Sequence, residues 1–240
     1  MCIHTEAALV PSVQPTTGFL AALQFADSFF PSGLYTLSHG LESFVQAGLA
    51  AGDIEPLLAD YLAHVVGPGD AVAVAHAHRR ALAGDLPGIA EVDQHLFAMK
   101  LTRETREASC RIGRKLLSTA SVIRSDPTVT AYARAVERGE YPGTSAVTLG
   151  LVTQRAGIGE REAMLIELYT FSTSFLGAAM RLMRFDHLES QRILVRLAPL
   201  FQQVIEANVG RALDEMRAFA PMIDVMAMAH ERAEVRLFVS

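Results

Sequence analysis

Residues 161–183 read REAMLIELYTFSTSFLGAAMRLM, and this stretch decides the class of fold. Apolar side chains recur in it every three or four residues, which is the spacing of one face of an α-helix. Glu167, several hydroxyl residues and the flanking Arg161 and Arg181 are poorly suited to a lipid bilayer. The stretch therefore predicts a buried amphipathic helix and no membrane span. The apolar stripe consists of Met164, Leu168, Phe171, Phe175, Ala179 and Leu182.

The rest of the chain repeats this spacing. Alanine and leucine, which favour helix, dominate it, and no run of β-branched residues is long enough for a sheet. Clusters of glycine, proline and aspartate, such as Gly67-Pro68-Gly69, predict turns between helices. The expected fold class is all-α, a single domain of about ten helices. We predict helices over 17–27, 36–48, 53–66, 70–83, 88–98, 102–123, 127–138, 145–156, 160–184, 188–216 and 221–234.

The composition of the 240 residues is that of a globular chain, with half of the residues hydrophobic, a fifth charged and a net charge of −5. This excludes a disordered chain and argues against a dedicated nucleic-acid binder, which carries a basic excess. Two cysteines are too few for a disulfide framework, and no secretory signal is visible, so we expect a cytoplasmic protein. Residues 1–16 are expected to form a flexible tail, 17–220 the helical domain, and 221–240 a C-terminal helix and tail that binds a partner.

Charge is distributed unevenly along the chain. Residues 1–99 hold two bases against ten acids, a net charge of −8, whereas residues 100–240 hold 19 bases against 16 acids, a net charge of +3. Such asymmetry is typical of a protein with faces for different partners.

The motifs GxxxxGK[ST], HExxH, CxxC and GxSxG are absent, and no GxGxxG follows a strand. The sequence therefore predicts no cofactor, no metal site and no catalytic residue.

Residues 29–42, FFPSGLYTLSHGLE, concentrate polar side chains beside glycines. The segment predicts a turn followed by a helix that contains Gly40. Because glycine costs a helix about 1 kcal/mol relative to alanine, Gly40 indicates that another backbone packs against it. Ser38 and His39 would point about 100° apart on a helix, which disfavours a catalytic triad with Glu42.

Residues 100–115 carry six basic and two acidic side chains, a net charge of +4. Most of these charges are expected on a solvated helix face, with Arg103 and Glu107 forming a pair along it. Three small residues, Ala108, Ser109 and Gly113, lie along the same predicted helix. Small side chains let a neighbouring element approach closely, so we predict an internal helix with arginines at its rim.

The histidines do not show the spacing of a metal site. His76 and His78 lie on nearly opposite sides of a predicted helix and cannot chelate one ion there. Cys2 and His4 could bind a metal in a flexible tail, but two ligands without a frame favour an incidental N-terminus.

The last twenty residues, 221–240, are rich in methionine and apolar side chains. Pro221 suits the first turn of a helix, and chain ends are usually polar and frayed. Two interpretations stay open: the segment docks on the chain's own core, or it is an adaptable surface that folds against a partner. The apolar residues that close the chain are Val235, Leu237, Phe238 and Val239.

Three segments share their residues and their order with a known family. The first is matched by Pro31, Gly33, Tyr35, Thr36, Ser38, Gly40, Leu41 and Glu42. The second is matched by Glu104, Arg106, Ser109, Gly113, Arg114, Leu116 and Leu117. The third is matched by Asp224, Met228, His230, Glu231, Arg236, Leu237, Phe238 and Ser240. Together, over nearly the whole chain, they resemble the UreF family of urease accessory proteins.

The resemblance implies a non-enzymatic, all-α assembly factor that forms a homodimer. It implies binding to the accessory protein UreD (also called UreH), to the nickel-carrying GTPase UreG and to apo-urease, so that nickel reaches the urease active site. It also implies that the C-terminal segment packs into UreD. Scaffolding is the preferred expectation, while an arginine supplied in trans to stimulate GTP hydrolysis is the alternative. The residues expected to bind partners are Pro31, Gly33, Tyr35, Ser38, Gly40, Glu42, Asp224, Met228, His230, Glu231, Arg236, Leu237 and Phe238.

Two functions of other classes stay open. An all-α hydrolase or lyase would use Glu42, His39 and Glu104 in an internal pocket, with perturbed carboxylates facing each other in a cleft. A stand-alone nickel chaperone would bind the metal tightly by itself, and the histidine spacing counts against it.

Overall fold

Helices make up the regular secondary structure of the computed structural model, which describes residues 15–233 and 237–238, with side chains from residue 17 onward. The predicted N-terminal tail, with Cys2 and His4, lies outside the described residues, apart from the backbone of residues 15 and 16, and so does the predicted partner residue Arg236. The helices are α1 (Pro15–Ala26), α2 (Leu41–Gln46), α3 (Ile54–Tyr61), α4 (Val72–Leu82), α5 (Leu86–Met99), α6 (Arg103–Ile123), α7 (Pro127–Glu137), α8 (Ser145–Arg155), α9 (Glu160–Leu182), α10 (His187–Asn208) and α11 (Pro221–Glu231). Three short 3₁₀ turns cover Leu34–Thr36, Ala51–Asp53 and Leu213–Glu215.

The prediction of an all-α domain is confirmed. A π-helical segment, Leu62–Ala71, joins α3 directly to α4. The described part of the chain therefore contains ten separate helices and no strand, in agreement with the expected number.

α9 is the central helix of the core, and it packs against α1, α4, α8 and α10. Its predicted apolar stripe is the buried face: Met164, Leu168, Phe175 and Ala179 are each 0% exposed. Burying one large apolar side chain stabilises the fold by about 1.5–3 kcal/mol. Among the described helices, α9 is the one long and apolar enough to cross a membrane, and 56% of that apolar stretch lies inside the protein.

The predicted turn at Gly67-Pro68-Gly69 is wrong, because the helix widens there instead of breaking. Proline lacks an N–H group, so inside an α-helix it removes one hydrogen bond and its ring crowds the preceding turn. The π-helical segment accommodates Pro68 with its wider turns, and such turns are frequent at functional sites. All three residues of the predicted turn are buried.

Two predicted helix boundaries are also wrong. The helix expected over 36–48 begins only at Leu41, because His39 and Gly40 have φ angles of +54° and +79°, which no right-handed helix contains. The helix expected over 188–216 ends at Asn208, just before Gly210. The chain then forms a 3₁₀ turn and an extended linker that leads to α11.

Candidate functional site

The three sequence motifs meet at the imidazole of His230. Its Nδ1 lies 2.8 Å from a carboxylate oxygen of Glu104, and its Nε2 lies 3.0 Å from a carboxylate oxygen of Glu42. His230 is 1% exposed and Glu42 is 3% exposed. Carboxylates accept hydrogen bonds but do not donate them, so both contacts form when both ring nitrogens carry hydrogen. We call Glu42, Glu104 and His230 the buried polar cluster.

The glycine before α2 brings α11 to the cluster. A Cβ atom on Gly40 would lie 3.7 Å from the backbone nitrogen of Ala227 and 3.8 Å from its Cα. The backbone of Ala227 does lie against Gly40, but at ordinary van der Waals distance, and the hydroxyl of Tyr61 is nearer at 3.5 Å. The prediction that Gly40 lies inside a helix is wrong, and its φ of +79° is the reason that glycine suits this position. Its left-handed conformation turns the chain so that Glu42 enters the first turn of α2 and points inward.

The start of α6 supplies the other carboxylate. Thr102 caps this helix by accepting the N–H of Thr105, which places Glu104 in the first turn. The side chain of Glu231 accepts the backbone N–H of Glu104 at 2.7 Å. α11 thus also binds an unpaired donor at the N-terminus of α6.

Glu42 holds the end of the chain as well. Its carboxylate accepts the backbone N–H of Leu237 at 2.9 Å and that of Phe238 at 3.3 Å. Burial acts to raise the pKa of Glu42, but these two amides and His230 outweigh it, and the pKa is lowered overall. The charged carboxylate is therefore the form that the site stabilises.

The linker before α11 is held by the π-helical segment. The backbone N–H of Arg217 donates to the carbonyl of Pro68, and that of Phe219 donates to the carbonyl of His64, each at 3.0 Å. The C-terminal segment is thus attached at its beginning, at its middle through His230, and near its end through Glu42.

α11 presents two different faces. Ile223, Ala227 and His230 are buried against the body of the protein. The outer face carries Met222, Val225 and Met228, which are 60%, 56% and 42% exposed. The segment docks on the chain's own core, as one of the two interpretations predicts, and it keeps an apolar surface outside. We call Met222, Val225 and Met228 the outer face of α11.

A cavity of about 190 Å³ lies beside the buried polar cluster. Lys100 and Asp70 form an ion pair of 2.8 Å in its wall. Glu167 also lines it, and burial together with the nearby Asp70 raises the pKa of Glu167 to about 8, while Lys100 opposes the shift. Sequence reasoning missed these three residues. The one signal was Glu167, an acid inside the apolar stripe of α9.

His39 also lines the cavity, but it bonds elsewhere. Its Nε2 lies 2.9 Å from the hydroxyl of Ser174, and that hydroxyl donates to the carbonyl of Leu34, so Nε2 is the donor toward Ser174. Burial, with Lys100 and Arg181, lowers the pKa of His39 to about 3. The hydrolase alternative needs His39 with the carboxylates of Glu42 and Glu104. In the structure those carboxylates bond His230 instead.

The residues predicted to bind partners fall into two sets. Pro31, Gly33, Tyr35, Met228 and Leu237 are exposed. Ser38, Gly40, Glu42, His230 and Phe238 are buried, and Asp224 and Glu231 are partly buried. Their role as partner contacts stays a prediction. The structure separates side chains at the surface from side chains that hold the segment in place.

α6 is an internal helix with arginines on its exposed side, as predicted. A Cβ atom on Gly113 would lie 2.0 Å from the carbonyl oxygen of Gly143, so only glycine permits this contact. Arg103, Arg111 and Arg114 lie on the exposed side of the helix. The predicted pair of Arg103 and Glu107 is present at 3.9 Å.

The described histidines mostly bond to protein groups. His76 bonds the carbonyl of Arg211 at 2.9 Å, and His78 bonds the carbonyl of Ile158 at 2.8 Å. Over residues 15–233 and 237–238, no three His, Cys, Asp or Glu side chains come together in a way that could hold a metal ion.

These observations define a class of protein: an all-α domain in which a buried polar cluster fixes the C-terminal segment and leaves an apolar helix face outside. The model of the UreF family matches residues 50–198. The urease accessory protein UreF 2 of Brucella canis is 34% identical over 235 residues, which cover 95% of each chain. UreF of Trichodesmium erythraeum is 35% identical over 223 residues, covering 92% of this chain and 96% of the relative. UreF of Yersinia enterocolitica is 34% identical over 219 residues, covering 90% and 95%.

The chain belongs to the UreF family of urease accessory proteins. Its role therefore lies in urease maturation, and it is an accessory protein by family.

Proposed function

We propose that the protein is a non-enzymatic scaffold for nickel insertion into urease. In this proposal it bridges UreD (UreH) and the GTPase UreG on apo-urease, and it acts in the cytoplasm as a homodimer. The observation that supports the proposal most directly is the outer face of α11. It is apolar and exposed, and the buried polar cluster holds it in a defined position.

A surface that is already ordered binds with a smaller loss of conformational entropy than a free tail. In the proposed complex, Met222, Val225 and Met228 bury their exposed side chains against UreD. Glu42 and His230 do not touch the partner and act by holding α11 in place. This division assigns a part to the buried as well as the exposed residues of the predicted set.

The test is co-purification of the full-length protein with UreD. The triple variant Met222→Asp, Val225→Asp, Met228→Asp places three charges on the outer face of α11 and is expected to abolish capture. The matched control is Val195→Asp, which changes an equally apolar side chain that is 75% exposed on α10. The control should bind as the wild type does. Retention of UreD by the triple variant, or by a protein lacking residues 221–240, would contradict the proposal.

Regulation of the GTPase is the second form of the same function. The exposed arginines of α6, Arg111 and Arg114 among them, support it, because a guanidinium supplied in trans can stabilise the transition state of GTP hydrolysis. A GTP turnover assay of UreG, with and without the protein, separates the two forms. Scaffolding alone leaves turnover unchanged. A stimulation that Arg111→Ala or Arg114→Ala removes would establish regulation.

A further inference from the structure

Arg181, in the last turn of α9, lies between two aromatic rings. Its guanidinium carbon is 4.0 Å from the ring centre of Tyr35 and 4.3 Å from that of Phe238. The same group donates to the carbonyl of Tyr35 at 2.6 Å and to the carbonyl of Gly177 at 3.0 Å. The guanidinium is thus fixed by hydrogen bonds on its own helix and on the 3₁₀ turn, with a ring near it on either side.

The two rings come from opposite ends of the sequence. Tyr35 belongs to the first motif, and its side chain is otherwise largely in solvent, with the residue 70% exposed. Phe238 is 7% exposed and belongs to the last motif. Glu42 binds only the backbone of the chain end. The ring of Phe238 also belongs to the hydrophobic core, and its contact with Arg181 is what relates it to the ring of Tyr35.

Arginine is suited to this position in a way that lysine is not. Its guanidinium is planar, so it can stack on an aromatic ring while its edge donates hydrogen bonds. An ammonium group is a compact point charge that can lie over one ring but cannot fill the space between two.

We propose that Arg181 is a positioning residue that joins the Tyr35 turn and the Phe238 end into one surface for UreD, the partner that the proposed function gives to the C-terminal segment. This rests on the proposed function, because it assigns the surface to the same assembly. Arg181 acts through Tyr35 and Phe238. Without it, the chain end leaves its docked position more often, and Tyr35 loses its ring contact.

The experiment measures amide hydrogen exchange at Leu237 and Phe238 in the full-length protein, because Glu42 accepts both of these N–H groups. Arg181→Ala is expected to accelerate their exchange roughly two- to fivefold, the range that one cation–π contact of an exposed arginine supports. Arg181→Lys is expected to accelerate it about twofold, since an ammonium group keeps at most one of the two ring contacts. Arg184→Ala, which removes an exposed arginine three residues further on, is the matched control and should leave exchange unchanged.

A double-mutant cycle separates positioning from a general loss of stability. Phe238→Leu keeps an apolar side chain but removes the ring, and it should accelerate exchange as Arg181→Ala does. Because the two changes remove one contact, the double variant should exchange no faster than either single variant. Multiplied effects in the double variant, or wild-type exchange in Arg181→Lys, would overturn the proposal. The melting temperature of each variant confirms that the body of the protein is folded.

Co-purification with UreD then tests the link to function. Weaker capture by Arg181→Ala, together with faster and non-multiplied exchange, supports the full proposal. If exchange is faster and not multiplied but capture is unchanged, the role of this surface in assembly is overturned, while the positioning of the chain end stands. Unchanged exchange overturns the positioning, whatever the capture shows.

Discussion

The carboxylate of Glu42 accepts the backbone N–H of Leu237 at 2.9 Å, across 195 positions of the sequence. Ordering a chain end costs conformational entropy, so one bond of this kind rarely holds it alone. Here the bond acts together with His230 on the same carboxylate and with the linker bonds to the π-helical segment. The C-terminal segment is therefore part of the folded body.

Replacing His230 with alanine is expected to destabilise the protein strongly. The change removes the imidazole that lies between the buried carboxylate of Glu42 and the partly buried carboxylate of Glu104. Hydrogen bonds to charged groups contribute about 1.5–3 kcal/mol each, and with two of them removed we expect a loss of about 3 kcal/mol or more in the free energy of unfolding measured by urea denaturation. Glu107→Ala, at a side chain 67% exposed, should cost less than about 0.5 kcal/mol. Equal small losses in both variants would show that the cluster contributes little.

Glu167→Gln is expected to stabilise the protein near neutral pH. The pKa of Glu167 is raised to about 8, so from about pH 4.5 upward the unfolded chain loses this proton before the folded protein does. Wild-type stability should therefore fall relative to the variant as the pH rises from about 4.5 to 8, by up to about 1.4 kcal/mol per unit. Urea denaturation at pH 5, 6, 7 and 8 gives this slope. A constant difference between the two proteins would contradict the prediction.

The pKa of Glu42 is lowered, whereas that of Glu167 is raised, so Glu42 affects stability at a lower pH. Because the folded protein lowers this pKa, the stabilisation is fully present above the unfolded value of about 4.5 and is lost as the pH falls through the folded value. Protection of the Leu237 amide from hydrogen exchange, corrected for the intrinsic rate, should therefore decrease below about pH 4.5. In Glu42→Gln this protection should be weaker at neutral pH and should depend less on pH.

Alanine at Gly40 is expected to cost about 1–2 kcal/mol, because the residue has a φ of +79°, a left-handed conformation that an L side chain rarely adopts. Gly177, in the middle of α9, provides the matched comparison, since a Cβ atom there meets no atom within 4 Å. Gly177→Ala should raise the free energy of unfolding by about 0.5–1 kcal/mol through its helix propensity. Chemical denaturation of both variants should thus give opposite signs. The same sign in both would contradict a conformational requirement for glycine at position 40.

Asp93 is expected to be among the most sensitive positions outside the cluster. Its buried carboxylate accepts hydrogen bonds from the Tyr132 hydroxyl, the Gly143 amide, and the amide and hydroxyl of Thr144, at 2.6–2.8 Å. Hydrogen bonds to a charged group contribute about 1.5–3 kcal/mol each, so Asp93→Ala should cost at least about 3 kcal/mol. The loss is read from the shift in melting temperature. Asp60→Ala, at an exposed aspartate, should melt within a degree or two of the wild type.

The helices and their buried faces could be predicted because they depend on local periodicity. The stripe of α9 and the close approach at Gly113 follow from residues three or four positions apart. Gly67-Pro68-Gly69 could not be interpreted in this way, because whether proline breaks a helix or widens it depends on what packs around it. Val204 of α10 lies at Gly67, and its side chain would meet a Cβ atom there at 2.4 Å.

The uneven charge of the two halves shows the same limit. Counting residues suggests opposite faces for different partners, yet part of the imbalance is used inside the molecule. Glu55 pairs with Arg196, and Asp70 pairs with Lys100. Charge along a sequence does not determine charge on a surface, because pairing depends on which distant segments meet.

The sequence by itself determined the all-α class, the core helix, the family and the three motifs. These depend on local spacing and on residue identities that can be read in order. Only the tertiary structure decided that the motifs share one histidine, that Glu167, Asp70 and Lys100 line a common cavity, and that Arg181 lies between Tyr35 and Phe238. Each of these depends on contacts between residues far apart in the chain. Such contacts form only when burial of the helical core offsets the entropy of bringing the segments together.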